Sequence, residues 1–179
     1  MDKLWRRIGM AVCAALILFW FAKPGGPQFM PMPIGHGPAP AWSMTATDGS
    51  ALSSTNLAGR VLVVNFWATW CPPCVREIPD LAALHRAHVA GGLTVVGASV
   101  DEGGVEGVRK FVDRNQIPYP VGMAGSNLVE AFAANGPIPT TFVIDRRGNF
   151  AARYLGALTR EELERVVAPL LAATNGPAR

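Results

Sequence analysis

The chain has few of the residues from which most sites and staples are built. Only three cysteines occur in 179 residues, and Cys13 lies inside an apolar N-terminal run, so Cys71 and Cys74 are left for the rest. A structural disulfide framework needs several well-separated pairs. A bridge between cysteines three apart closes almost no loop and stabilises little. There is no second C-x-x-C, which denies a structural zinc site its four ligands. Covalent haem attachment needs a histidine directly after the second cysteine, and Val75 stands there. Histidine is scarce too: His36 falls in a Pro/Gly-rich stretch, and His85 and His88 read as surface or partly packed helix residues. With no framework and no metal set to serve, Cys71 and Cys74 are read as a reactive pair.

Excess charge is missing from most of the chain. The net charge of +3 comes from 16 Lys+Arg against 13 Asp+Glu, but residues 42–179 hold 12 of each. A neutral globular part without a Lys/Arg cluster excludes a nucleic-acid footprint. The surplus belongs to the N-terminus, where Lys3, Arg6 and Arg7 precede an apolar run from Ile8 to Ala22, closed by Lys23 and Pro24. The run is shorter than the ~20 residues of a usual spanning helix, yet Trp5, Trp20 and the snorkelling ends of Arg7 and Lys23 extend it. No A-x-A site follows closely, so residues 1–23 are read as an uncleaved signal-anchor, in the membrane over residues 4–22. In a bacterial chain the cation bias predicts an N-in orientation in the inner membrane, with the domain in the periplasm. Residues 24–41, rich in Pro and Gly, cannot form a regular element. They are read as a semi-extended spacer of at most ~3 Å per residue.

From residue 42 strand and helix patterns alternate. Trp42–Thr47 reads as a strand turning at Asp48-Gly49 into Ala51–Leu52, an N-terminal hairpin. Val61–Ala68 and Leu93–Val100 are apolar runs rich in β-branched residues, the signature of buried strands. Helices are expected over Cys74–Val89, Val105–Asn115 and Asn127–Ala134. Strands Thr140–Asp145 and Phe150–Leu155 flank the turn Arg146-Arg147-Gly148-Asn149. Thr159 with Glu162 forms a capping box opening a last helix to Ala172. The order predicts an α/β fold around a mixed sheet over residues 42–174, with 175–179 as a tail.

Trp70-Cys71-Pro72-Pro73-Cys74 falls between the first buried strand and the helix after it. Cys71 is therefore expected at the helix N-terminus, where unpaired N–H groups and the dipole favour a thiolate. Both prolines suit the first helical turn, where a missing N–H costs little. The run Asn65-Phe66-Trp67-Ala68-Thr69-Trp70-Cys71-Pro72-Pro73-Cys74, with Arg76-Glu77-Ile78-Pro79 after it, resembles the active-site signature of the TlpA/ResA-like membrane-anchored branch of the thioredoxin superfamily. Gly136-Pro137-Ile138-Pro139-Thr140-Thr141-Phe142-Val143-Ile144-Asp145 is similar to that family's cis-proline loop and following strand.

The resemblance implies a thioredoxin-like fold and dithiol–disulfide exchange, with Cys71 attacking and Cys74 resolving. It implies that Pro139 is the cis proline facing the pair and that the backbone at Ile138 pairs with an extended substrate. Trp70, Pro72, Pro73 and Thr140 line that surface. Glu77 matches a carboxylate that the branch places near the pair to move protons; an ordinary helix-surface acid is its other reading. Asn65 stands where thioredoxins hold a buried Asp, which leaves open how Cys74 is deprotonated. No organic cofactor and no metal is implied beyond the redox-active disulfide itself. The implied partners are a protein disulfide substrate, an apocytochrome c or, as the alternative, a copper-site assembly factor, and a membrane thiol protein that donates electrons. A copper-delivery relative would have wider cysteine spacing and a downstream histidine. A thiol peroxidase of the same fold would have a lone peroxidatic cysteine. A redox-inert scaffold is the non-enzymatic rival.

Overall fold

The computed structural model describes residues 37–173; the expected anchor, the spacer up to His36 and the C-terminal tail lie outside them. No helix among the described residues is long and apolar enough to cross a membrane.

The fold is built outward from one strand. In β3 (Val61–Trp67) all seven residues are buried, because both edges are paired and both faces covered. It pairs in parallel with β4 (Leu93–Ser99) and antiparallel with β6 (Thr140–Ile144). The short strand β5 (Val121–Met123) extends the sheet beyond β4, and β7 (Phe150–Leu155) extends it beyond β6, giving the order β5-β4-β3-β6-β7. Successive side chains of a strand point to opposite faces. Val61, Val63 and Trp67 thus meet helices α1 (Pro72–His88) and α4 (Arg160–Ala172) through Ile78, Leu81, Leu84, Leu163 and Val167, with Val108 of α2 (Val105–Arg114) at the margin. Leu62, Val64 and Phe66 face the other way, against α3 (Ser126–Ala131) and Phe132. Asn65 is odd-numbered in this series, so the periodicity sends its amide to the α1 side.

The hairpin β1 (Ser43–Thr45) and β2 (Ala51–Ser53) forms a separate two-stranded sheet. It covers the sheet's open edge: Thr47 N donates to Val121 O at 2.7 Å, and Ala46 bridges Gly122. Trp42 and Leu52 carry its apolar contribution under the sheet.

Most expected elements form within a residue or two of their expected bounds, and four points differ. The strand Val121–Met123 was not anticipated, because three residues are too few to show a period. α1 starts at Pro72, not Cys74, since prolines at the first two helical positions forfeit only N–H groups that lack an intrahelical partner anyway. His85 is buried, not at the surface: its Nδ1 accepts a bond from Val95 N at 3.3 Å, and its ring meets Tyr119 edge-on. The end of the expected spacer is docked, with Phe150 N donating to Gly37 O and Ala39 N to Gly148 O. His88 bonds Glu164 at 2.7 Å and so ties α1 to α4.

Gly122 is where the hairpin and the sheet come closest. A Cβ there would lie 2.7 Å from Thr45 O and 2.8 Å from Met44 Sδ. The backbone oxygen cannot yield without moving β1, so Gly122→Ala is expected to cost about 1–3 kcal/mol, as overpacking does. A urea midpoint unchanged from wild type would show that the hairpin docks loosely.

Candidate active site

The reactive pair sits where β3 hands the chain to α1. Cys71 is the N-cap of α1, in extended backbone conformation, with Pro72 and Pro73 in the first turn. Cys71 and Cys74 are joined as a disulfide, with their Cα atoms 5.3 Å apart. The amide of Cys74 points at Cys71 Sγ from 3.3 Å. The same N–H would face a thiolate after reduction, so one of the helix's unpaired donors is aimed at the sulfur. Both cysteines are nearly buried, whereas Trp70 beside them is 67% exposed.

A loop from the far side of β3 closes over the sulfurs. The Ile138–Pro139 peptide is cis, and Ile138 O lies 3.8 Å from Cys71 Sγ. Thr140 Oγ1 donates to Pro137 O at 2.6 Å, and Gly156 N donates to Pro139 O at 2.7 Å. The loop is thus fastened at both shoulders, and Thr140 is turned inward, holding the loop, fully buried.

Behind the pair lies a buried polar cluster. Glu77, one helical turn beyond Cys74, is 1% exposed, which removes the surface-acid reading. Its Oε1 accepts from Leu158 N at 3.2 Å and its Oε2 from Asn65 Nδ2 at 3.3 Å, while Asn65 Nδ2 also donates to Thr141 Oγ1 at 2.9 Å. Burial pushes the Glu77 carboxyl up to about 8, against the opposing pull of the Leu158 and Asn65 donors. At neutral pH it is largely a neutral acid, poised to give or take a proton.

A second fastening was not foreseen from the sequence. Asp101 Oδ2 accepts from Thr69 N at 3.0 Å, and its Oδ1 from Thr69 Oγ1 at 2.5 Å. Ser99 Oγ adds a further bond at 2.7 Å. This carboxylate staples the turn before Cys71 to the end of β4. One signal did exist: the C-terminal ends of adjacent parallel strands are where α/β sheets assemble their sites, and Asp101 lies two residues past the end of one such strand. Among the described residues no group of three His, Cys, Asp or Glu side chains is gathered that could hold a metal.

With this geometry in place, the comparisons with known proteins decide the family. The family model described as AhpC/TSA matches residues 36–153. The chain belongs to the AhpC/TSA family. Within it, this AhpC/TSA member is 31% identical over 127 residues to the thiol-disulfide oxidoreductase ResA of Bacillus cereus, covering 70% of this chain and 72% of that one. It is 32% identical over 127 residues to ResA of Geobacillus kaustophilus, covering 71% and 72%. A thioredoxin-family thiol:disulfide interchange protein from Chlorobium tepidum superposes with a TM-score of 0.72 at 36% identity, covering 79% of this chain and all of that one. A secreted thiol-disulfide isomerase from Corynebacterium glutamicum gives 0.72 at 26%, covering 84% and 96%. This family member is a thioredoxin-fold thiol–disulfide oxidoreductase of the ResA type.

Glu77 gives a pH test. Its native pKa lies above its unfolded value of 4.5, so between 4.5 and about 8 the native state binds the extra proton and stability falls as pH rises. The maximum slope from one proton is ~1.4 kcal/mol per pH unit. His85, whose pKa burial lowers, acts with the opposite sign, so a difference against wild type is needed to isolate Glu77. Glu77→Gln is expected to gain stability relative to wild type progressively from pH 5 to pH 9 in urea titrations. A gap that does not change with pH would contradict the buried neutral acid.

Proposed function

We propose that this protein reduces disulfides of protein clients outside the cytoplasm, with Cys71 as nucleophile and Cys74 as resolving thiol. The observation that carries the reading is the placement of Cys71 Sγ at the N-cap of α1, against the Ile138 carbonyl. An extended client segment can pair with the backbone at Ile138 while its disulfide meets Cys71; Trp70, Pro72 and Pro73 form the surface around that point, and Pro139 is buried.

The exchange runs in two displacements. The Cys71 thiolate attacks one sulfur of the client disulfide; the client S–S bond breaks, a Cys71–client bond forms and the client's other sulfur leaves as a thiolate. The Cys74 thiolate then attacks Cys71 Sγ, which forms the Cys71–Cys74 disulfide and releases the second client thiolate. Two electrons pass to the client, and protons from solvent complete its two thiols. Glu77 takes the proton of the Cys74 thiol when ionised and returns it when neutral, and a pKa near neutrality suits both halves of that work.

The client class we favour is an apocytochrome c, whose C-x-x-C-H disulfide must be opened before haem is attached, and a membrane thiol protein would restore the reduced pair. The basic and apolar residues 1–23 would hold the domain at the outer face of a bacterial inner membrane, through residues 4–22. The likeness to ResA relatives supports this reading.

Substitution separates the two sulfurs. Cys71→Ser is expected to abolish exchange with a disulfide peptide. Cys74→Ser should instead accumulate a Cys71–client mixed disulfide, visible by mass spectrometry and released by dithiothreitol. Undiminished exchange by Cys71→Ser would overturn the assignment.

A further inference from the structure

Next to Cys71 the surface opens into a hollow of about 480 Å³ that the exchange steps leave unused. Its rim is Trp70, a large aromatic ring left two-thirds exposed beside a nearly buried cysteine. Val108 and Phe111 of α2 form its apolar wall, Gly107 beside Val108 also lines it, and Arg114 stands at the end of the helix.

Gly107 is the informative residue. Glycine inside a helix costs about 1 kcal/mol relative to alanine, so its presence asks for a reason. A Cβ at Gly107 would meet nothing within 4 Å, and its φ is not in the left-handed range. Neither packing nor backbone geometry calls for glycine here. Gly107 lines the hollow, so a larger side chain at this position would take up part of its volume.

The rim is also fixed rather than loose. Thr69, directly before Trp70, is held by both oxygens of Asp101. That carboxylate is engaged by three donors, Ser99 included, whereas no hydrogen bond or ion pair to Arg114 occurs among the described residues. Asp101 keeps its negative charge, but its oxygens are taken up by neutral donors, so the charged group in the lining whose hydrogen-bonding capacity is free for a ligand is Arg114.

We propose that this hollow is a specificity subsite of the exchange reaction. It takes a bulky aromatic side chain of the protein client close to the client's disulfide, and Arg114 receives an acidic residue next to it. The proposal rests on the reading of a protein-disulfide reductase: Trp70, directly before Cys71, lines the hollow, so a client whose disulfide is attacked at Cys71 can lay its neighbouring residues across Trp70.

The test uses two C-x-x-C peptides cyclised by their own disulfide, one flanked on both sides by Phe-Glu and the other by Ser-Lys, with Ellman's reagent as a small disulfide lacking flanks. Reduced wild-type protein is expected to favour the Phe-Glu peptide about tenfold in kcat/KM, within the range that apolar pockets discriminate. Gly107→Leu, a good helix former filling open space, should bring that ratio close to one. Arg114→Glu should lower it through the charge alone, and a Phe-Lys peptide should then recover the loss. Equal rates on the two peptides with wild type, or wild-type ratios in both variants, would remove the subsite while leaving the reductase intact. Failure of wild type to reduce either peptide, with Ellman's reagent still reacting, would remove the protein-client reading and the subsite with it.

Discussion

Everything in this molecule follows from the junction at which β3, covered on both faces, turns into α1. The strand ends at Trp67 and the helix begins at Pro72, where Pro72 and Pro73 fit a first turn whose N–H groups have no intrahelical partner to lose. Cys71 is caught between them as the N-cap, so its sulfur faces an amide donor, the Cys74 N–H 3.3 Å away. The parallel neighbour β4 supplies Asp101 to fasten one side of the junction. The antiparallel neighbour β6 brings the Ile138–Pro139 loop to the other. Three segments distant in sequence thus meet at one sulfur because they are the ends of adjacent strands.

The buried acid of the site comes from the helix rather than the strand. Asn65, in β3, offers an amide where a carboxyl would face Glu77 at close range. Two carboxyls there would repel, and one would be driven further toward neutrality. With an amide opposite, Glu77 keeps two hydrogen bonds and a carboxyl near neutrality. The site thus holds a buried carboxyl one turn along α1 from Cys74, hydrogen-bonded to Asn65.

How much was legible in the sequence varied with the range of the physics involved. Local signals did well: the Thr159–Glu162 capping box forms as expected, the Gly148 turn closes β6 and β7, and the apolar runs at Val61 and Leu93 are the central parallel strands. The reactive pair was legible as well, because so little else in the chain could employ two cysteines. What escaped was tertiary. The burial of Glu77 and His85 depends on which side of α1 faces the sheet, and a helix face with mixed polarity does not declare that. Asp101 showed no motif of its own, since its partner Thr69 is 32 residues away and only strand pairing brings them together. The three-residue strand β5 is held by the hairpin on its outer edge, a contact no local pattern encodes.

In the proposed function this disulfide pair works in the reducing direction. The direct measurement is the reduction potential of the Cys71–Cys74 couple, obtained by equilibrating the protein against glutathione buffers and quantifying the free thiols. A reductant is expected to show a value near or below about −230 mV, at or below the range of the glutaredoxins and towards that of thioredoxin. A value near about −120 mV, where the oxidant DsbA lies, would contradict it and make the protein a donor of disulfides.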